Sequence, residues 1–170
     1  MKRLFTALVL LVAVAAPAAA AETFERCPAQ LPQAVADKRA AILAAAKKGD
    51  LVALKGLTST VEFTFSFASE AEDPLVLWRE QTKHGTDVSK ILIAILSMNC
   101  VVGEGPSYVW PSAALIDWAK LTAEEQKALL ALYGKKIDEN WLEGRSKGYY
   151  VGWRVSIEPD GSWSSFVAGD

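Results

Sequence analysis

The chain has 170 residues, with 18 Lys and Arg against 20 Asp and Glu, and a formal net charge of −2. That balance offers no basic surface of the kind that nucleic acid or an anionic membrane attracts, so neither is expected as a partner. With a single histidine, two cysteines and no ligand spacing among them, neither a metal centre nor a cofactor is expected.

The opening MKRLFTALVLLVAVAAPAAAAE sets Lys2 and Arg3 before an apolar run from Leu4 to Ala16, then Pro17 and a string of alanines. This is the layout of a secretory signal with a small-residue cleavage site, and residues 1–21 are expected to be removed. The run is shorter than the roughly 20 residues of a membrane-spanning helix. Cys27 follows Phe24, Glu25 and Arg26, unlike the small apolar residues of a lipoprotein signal. Removing 21 of 170 residues leaves 149 and moves the net charge from −2 to −4. Residues 22–170 are long enough for one domain with its own core, in the periplasm or secreted, without stable membrane insertion. Export places Cys27 and Cys100 in an oxidising compartment, which favours a disulfide over two free thiols.

In chain order, LPQAVADKRAAILAAAKKG reads as a helix with Pro32 near its start and Gly49 past its end. Asp50 caps a short second helix, LVALKG. TSTVEFTFSFA alternates strictly, which predicts a half-buried strand with Val61, Phe63, Phe65 and Phe67 on its core face. Asp73 and Pro74 open a third helix that stops at Gly85. Asp87 caps VSKILIAILSMN, with Ile91, Leu92, Ile95 and Leu96 as its core stripe. SYVW is a short strand ended by Pro111. Thr122 and Glu125 form a capping box for LTAEEQKALLALYG, and KKIDENWLEG continues as helix.

The ending GYYVGWRVSIEPDGSWSSFVA predicts a hairpin turning at Asp160-Gly161. Its first strand puts Tyr149, Val151, Trp153, Val155 and Ile157 on one face, with Tyr150, Arg154, Ser156 and Glu158 on the other. The second strand carries large residues on both faces, as a strand covered on both sides would. The expected class is α+β, helices packed on a mostly antiparallel sheet that ends in a C-terminal hairpin.

Candidate chemistry is thin. His84 sits at a helix end, where interaction with the helix dipole is favoured over a part in acid–base work. No GxSxG turn is present, and GEGP lacks the length and lysine of a phosphate loop. The carboxylates at Glu70, Glu72 and Asp73 and at Glu124 and Glu125 read as caps and first-turn charges; those at Asp138 and Glu139 form a further acidic pair. The six tryptophans are a better lead. Trp78, Trp118 and Trp141 fall in helical segments and read as core. Tyr108, Trp110, Tyr150, Arg154 and Trp163 are the candidate ligand-binding set, since aromatic faces stack on ligands and an arginine beside them can hold a carboxylate. A tryptophan on an alternating strand is more often core than site, and pairing with Glu158 or Asp170 is the commoner role for an arginine such as Arg154.

AAILAAAKKGDLVALKGLTSTVEFTFSF resembles the helix-to-strand entry of an NTF2-like cone, and DGSWSSFVAGD resembles the final strand of some of its members. Helices stand between them where that cone has long strands. With YVWP and DGSWSSFVAGD together, the chain resembles an uncharacterised family of small exported bacterial proteins, which implies no activity. Three readings follow. The leading one is a non-catalytic binding or accessory protein of the cell envelope, partnered by an envelope protein or a saccharide. A second is a small NTF2-like enzyme with Glu62 or Asp117 as its acid, and a third is a protein that takes a partner strand at a sheet edge.

Overall fold

Short polar side chains decide where the helices begin. The computed structural model describes residues 24–65, 73–103, 105–133 and 150–168. The signal at 1–21, Phe67, Glu70, Glu72, Gly134, the 135–144 segment with Trp141, Tyr149 and Asp170 lie outside them. Helix α1, Gln33–Lys47, follows Pro32, and Gly49 turns the chain beyond it at φ 66°. Helix α2, Leu51–Leu57, starts where the Asp50 carboxylate accepts the Ala53 amide at 2.9 Å. Asp73 does the same for the Leu75 amide in α3, Pro74–Lys83, at 2.9 Å. Asp87 accepts the Lys90 amide at 3.0 Å at the start of α4, Val88–Leu96. For α5, Ala123–Tyr133, the capping box is closed both ways. The Glu125 amide donates to Thr122 Oγ1 at 3.2 Å, and the Thr122 amide donates to Glu125 Oε2 at 2.8 Å. Each such cap is worth about 1 kcal/mol, which is why four aspartate or threonine residues placed these helices from sequence alone.

Among the described residues, five strands form one antiparallel sheet whose spatial order follows the chain: β1 (Glu25–Arg26), β2 (Val101–Val102), β3 (Tyr108–Trp110), β4 (Arg154–Ile157) and β5 (Trp163–Val167). Helices α1 and α4 pack on each other and on β4. Val155 and Ile157 face them, fully buried, and Leu92, Ile95 and Leu96 of the α4 stripe meet them in the same core. The class is α+β, with β4 and β5 as a closing hairpin.

The hairpin turn is held by Asp160, whose carboxylate accepts the Ser162 amide at 2.8 Å, and by Gly161 at φ 86°. Gly161 is needed twice over: a Cβ there would lie 2.8 Å from the Ala34 carbonyl oxygen, so the turn docks directly on the start of α1. The second strand's large residues on both faces have a specific cause. Ile157 pairs with Trp163 and Ser156 with Ser165, leaving Ser164 as a bulge between them. That extra residue resets the alternation, so Trp163 and Phe166 share the inner face although three positions separate them. Val167 is buried on the opposite side, across from Arg154.

The alternating stretch from Thr60 is the main departure from expectation. It meets β5 at two isolated points, Thr58 beside Trp163 and Thr64 beside Ser165, both parallel. The Ser59 amide donates to the Trp163 carbonyl and the Thr64 amide to the Ser164 carbonyl, each at 2.9 Å. More chain lies between the two points on this segment than on β5, so the excess bows outward and Val61 is 94% exposed. Strict alternation holds a side chain to one face only while a continuous ladder holds the backbone. Phe63 comes back into the core, edge-on to Trp78 and Trp163 with ring centroids 6.1 and 5.2 Å away.

Candidate functional site

The five candidate residues do not form one surface. Trp163 is fully buried, stacked on Trp78 with centroids 5.9 Å apart, and its indole N–H donates to the Ser165 carbonyl at 2.8 Å. Trp110 is 1% exposed, and half-buried Tyr108 packs against the same core. These three meet on the inner face of the sheet, where no ligand could stack on Trp163. Tyr150 belongs to a second apolar cluster around Leu121 and Leu129. Its hydroxyl donates to the Trp153 carbonyl at 3.0 Å and accepts from the Tyr133 hydroxyl at 2.7 Å, while the Trp153 amide donates to Tyr133 at 2.7 Å. Burial pushes both phenols above the ordinary tyrosine range. The two rings close so tightly over Gly152 that a Cβ there would lie 2.2 Å from the Tyr133 oxygen. Arg154 is half-buried on the sheet face away from Val155. Period alone could not separate a buried indole from an exposed one, because the bulge at Ser164 is invisible to it.

The concave feature lies at the other end of the sheet. Cys27 and Cys100 come together at disulfide distance, with Cα atoms 5.3 Å apart across a sequence separation of 73. The pair fixes β1 beside β2, helped by the Cys27 amide donating to the Cys100 carbonyl at 3.0 Å. A cleft of about 360 Å³ opens there between β1, α1 and the residues that follow α4. Arg26, Arg39 and Asn99 supply its polar lining, and Leu31, Met98 and Trp110 its apolar wall beside the cysteine pair.

Its two guanidinium groups differ in what already holds them. Arg26 reaches from β1 to Glu125 on α5, where it makes a two-pronged ion pair, and also donates to the Lys120 carbonyl at 3.2 Å. Glu125 is only 5% exposed. It accepts as well from Ser112 Oγ at 2.7 Å, Asn99 Nδ2 at 3.1 Å and the Thr122 amide at 2.8 Å. Burial alone would raise this carboxyl, but Arg26, Ser112, Thr122 and Asn99 outweigh it and hold the pKa at about 2. Arg39, by contrast, donates from Nε at 2.8 Å and from Nη2 to the carbonyl of Leu96, the last residue of α4. Among the described residues the Arg39 guanidinium of the cleft is thus not matched by a carboxylate.

The other candidate chemistry is scattered. His84 is exposed at the end of α3, and Glu62 and Asp117 are exposed on separate segments. Among the described residues no group of three or more His, Cys, Asp or Glu could hold a metal ion, and no helix is long and apolar enough to cross a membrane. Of the sheet's edges, β5 is lined by the 58–64 segment, and β1 is two residues wide. Neither Arg26 nor Arg39 was singled out from sequence. Their partners, Glu125 and Leu96, lie 99 and 57 positions away and share no local pattern with them. No family model, curated protein or solved structure matches the chain.

Proposed function

We propose that this is a non-catalytic binding or accessory protein of the bacterial cell envelope, exported to the periplasm or beyond, acting through the cleft beside Cys27 and Cys100. The observation that carries the reading is the lining of that cleft: two arginines and an asparagine amide facing an apolar wall, the usual make-up of a small ligand site. The leader sequence and the cysteine pair are what an oxidising compartment would require.

Acid–base chemistry finds little support here. Glu125 is the buried carboxylate nearest the cleft wall, and with a pKa of about 2 it stays ionised near neutral pH. With five donors on its two oxygens it acts as a structural anion, not as a proton carrier. Between the envelope partners, a protein or peptide is favoured over a saccharide, because Trp110 and Trp163 are buried and present no open indole face to a sugar ring.

The test is sedimentation of the purified protein with isolated envelope fractions, comparing the wild type with Leu31→Trp, which fills the cleft from its rim. The wild type should co-sediment and the variant, folded by circular dichroism, should not. Wild-type protein that stays in the supernatant with every fraction would end the reading; equal sedimentation of both would move the site elsewhere.

A further inference from the structure

We infer that the cleft recognises the terminal carboxylate of a peptide chain, with Arg39 as its anchor; this rests on the cleft being the binding site. The charge distribution is the first argument. Arg26 also lines the cleft, but Glu125 neutralises it. Arg39 is matched only by a carbonyl, through Nε and Nη2, and its Nη1 hydrogens have no acceptor among the described residues. A guanidinium offers planar paired donors that fit a carboxylate better than any neutral group. The Leu96 carbonyl holds the side chain from one edge, so little rotamer freedom remains to be lost when an anion arrives on the other.

The second argument is the neutral part of the lining. Asn99 donates through Nδ2 to Glu125, which orients the amide and leaves Oδ1 as an acceptor. An acceptor beside a cation suits the N–H that precedes a chain-terminal carboxylate. Leu31 and Met98 then provide an apolar wall for the last side chain. Methionine and leucine adapt to small differences in shape, which fits an alanine-sized to leucine-sized terminal residue. At about 360 Å³ the cleft lies at the low end of the roughly 300–1,000 Å³ typical of ligand sites, room for a chain end and not for a long segment.

The experiment titrates the full-length folded protein with acetyl-alanyl-alanine and with the same dipeptide as its C-terminal amide, following tryptophan fluorescence or amide NMR shifts. The acid should bind at least 10-fold more tightly than the amide, and the difference should shrink as salt rises. Arg39→Gln should reduce the acid to the level of the amide, while Arg39→Lys, which keeps the charge but not the fork, should retain part of the preference. Equal affinity of acid and amide for the wild type would overturn the inference without any variant, so an unstable Arg39→Gln cannot blur the result. Binding of neither dipeptide, or binding of an N-acetylglucosamine oligomer in their place, would overturn it too. In those cases the sedimentation comparison with Leu31→Trp still judges the broader reading by itself.

Discussion

The two edges of the sheet are finished in opposite ways. Beside β5, closure is apolar: Phe63, Trp78, Trp163 and Phe166 interlock by edge-on and stacked contacts beneath a backbone joined at only two points. Beside β1, closure is polar and covalent, consisting of a two-residue ladder, the Cys27–Cys100 pair and the Arg26–Glu125 ion pair. Burial of large rings is spread over many weak contacts and responds to neither pH nor redox chemistry. The β1 edge rests on a few identifiable bonds, each of which can be broken selectively. The open cleft lies at this second edge, where the molecule has not filled its own surface with side chains.

Four experiments break or sharpen that contrast. Trp163→Ala should have the largest effect, lowering unfolding free energy by about 3–5 kcal/mol in chemical denaturation, because it leaves a cavity among three other rings. Replacing both Cys27 and Cys100 by serine should cost somewhat less, about 2–4 kcal/mol, since it releases a long closed loop in the unfolded chain. If the serine variant matches or exceeds the loss in Trp163→Ala, the apolar edge is not the stronger one.

The third experiment uses pH. The Glu125 carboxyl has a folded pKa of about 2 against an ordinary value of 4.5. A depressed folded value means the stabilisation is fully present above 4.5 and is lost as pH falls toward 2. The size of the shift corresponds to about 3–4 kcal/mol, which solvent screening of the partly exposed Arg26 lowers to about 2–3 kcal/mol. Glu125→Gln should therefore be less stable than wild type by about that much at pH 7. The gap should close as both are titrated from pH 5 toward pH 2, and a gap independent of pH would mean that the loss is one of packing. The smallest effect is expected from Val61→Ser, within about 0.5 kcal/mol of wild type, because the side chain is already in water.

How far these features could be read from sequence depends on the range of the interaction behind them. Asp50, Asp73, Asp87 and the Thr122–Glu125 box act within three residues, so each helix start was legible. Asp160-Gly161 is equally local, and the hairpin was legible with it. Val61 was misplaced because its face depends on hydrogen bonds to a strand about a hundred residues later, and those exist only at the two ends of its segment. Trp163 and Phe166 looked like opposite faces until Ser164 stepped out of register. The arginines of the cleft were missed for the same reason: a cation's partner is a fact of three dimensions, and Arg26 finds its own in a residue that from sequence is simply a helix cap.

The aromatic cluster also sets a clock on the making of the protein. Trp78 rests against Phe63, Trp163 and Phe166, and Phe166 follows it by 88 residues. A ribosome adding roughly 5–20 residues per second needs about 4–18 seconds to cover that distance. Through that interval Phe63 is already in place in the sequence, while Trp163 and Phe166, the other two rings against Trp78, are still to be added. The core around Trp78 is therefore completed by the closing hairpin, whose tip docks on the start of α1.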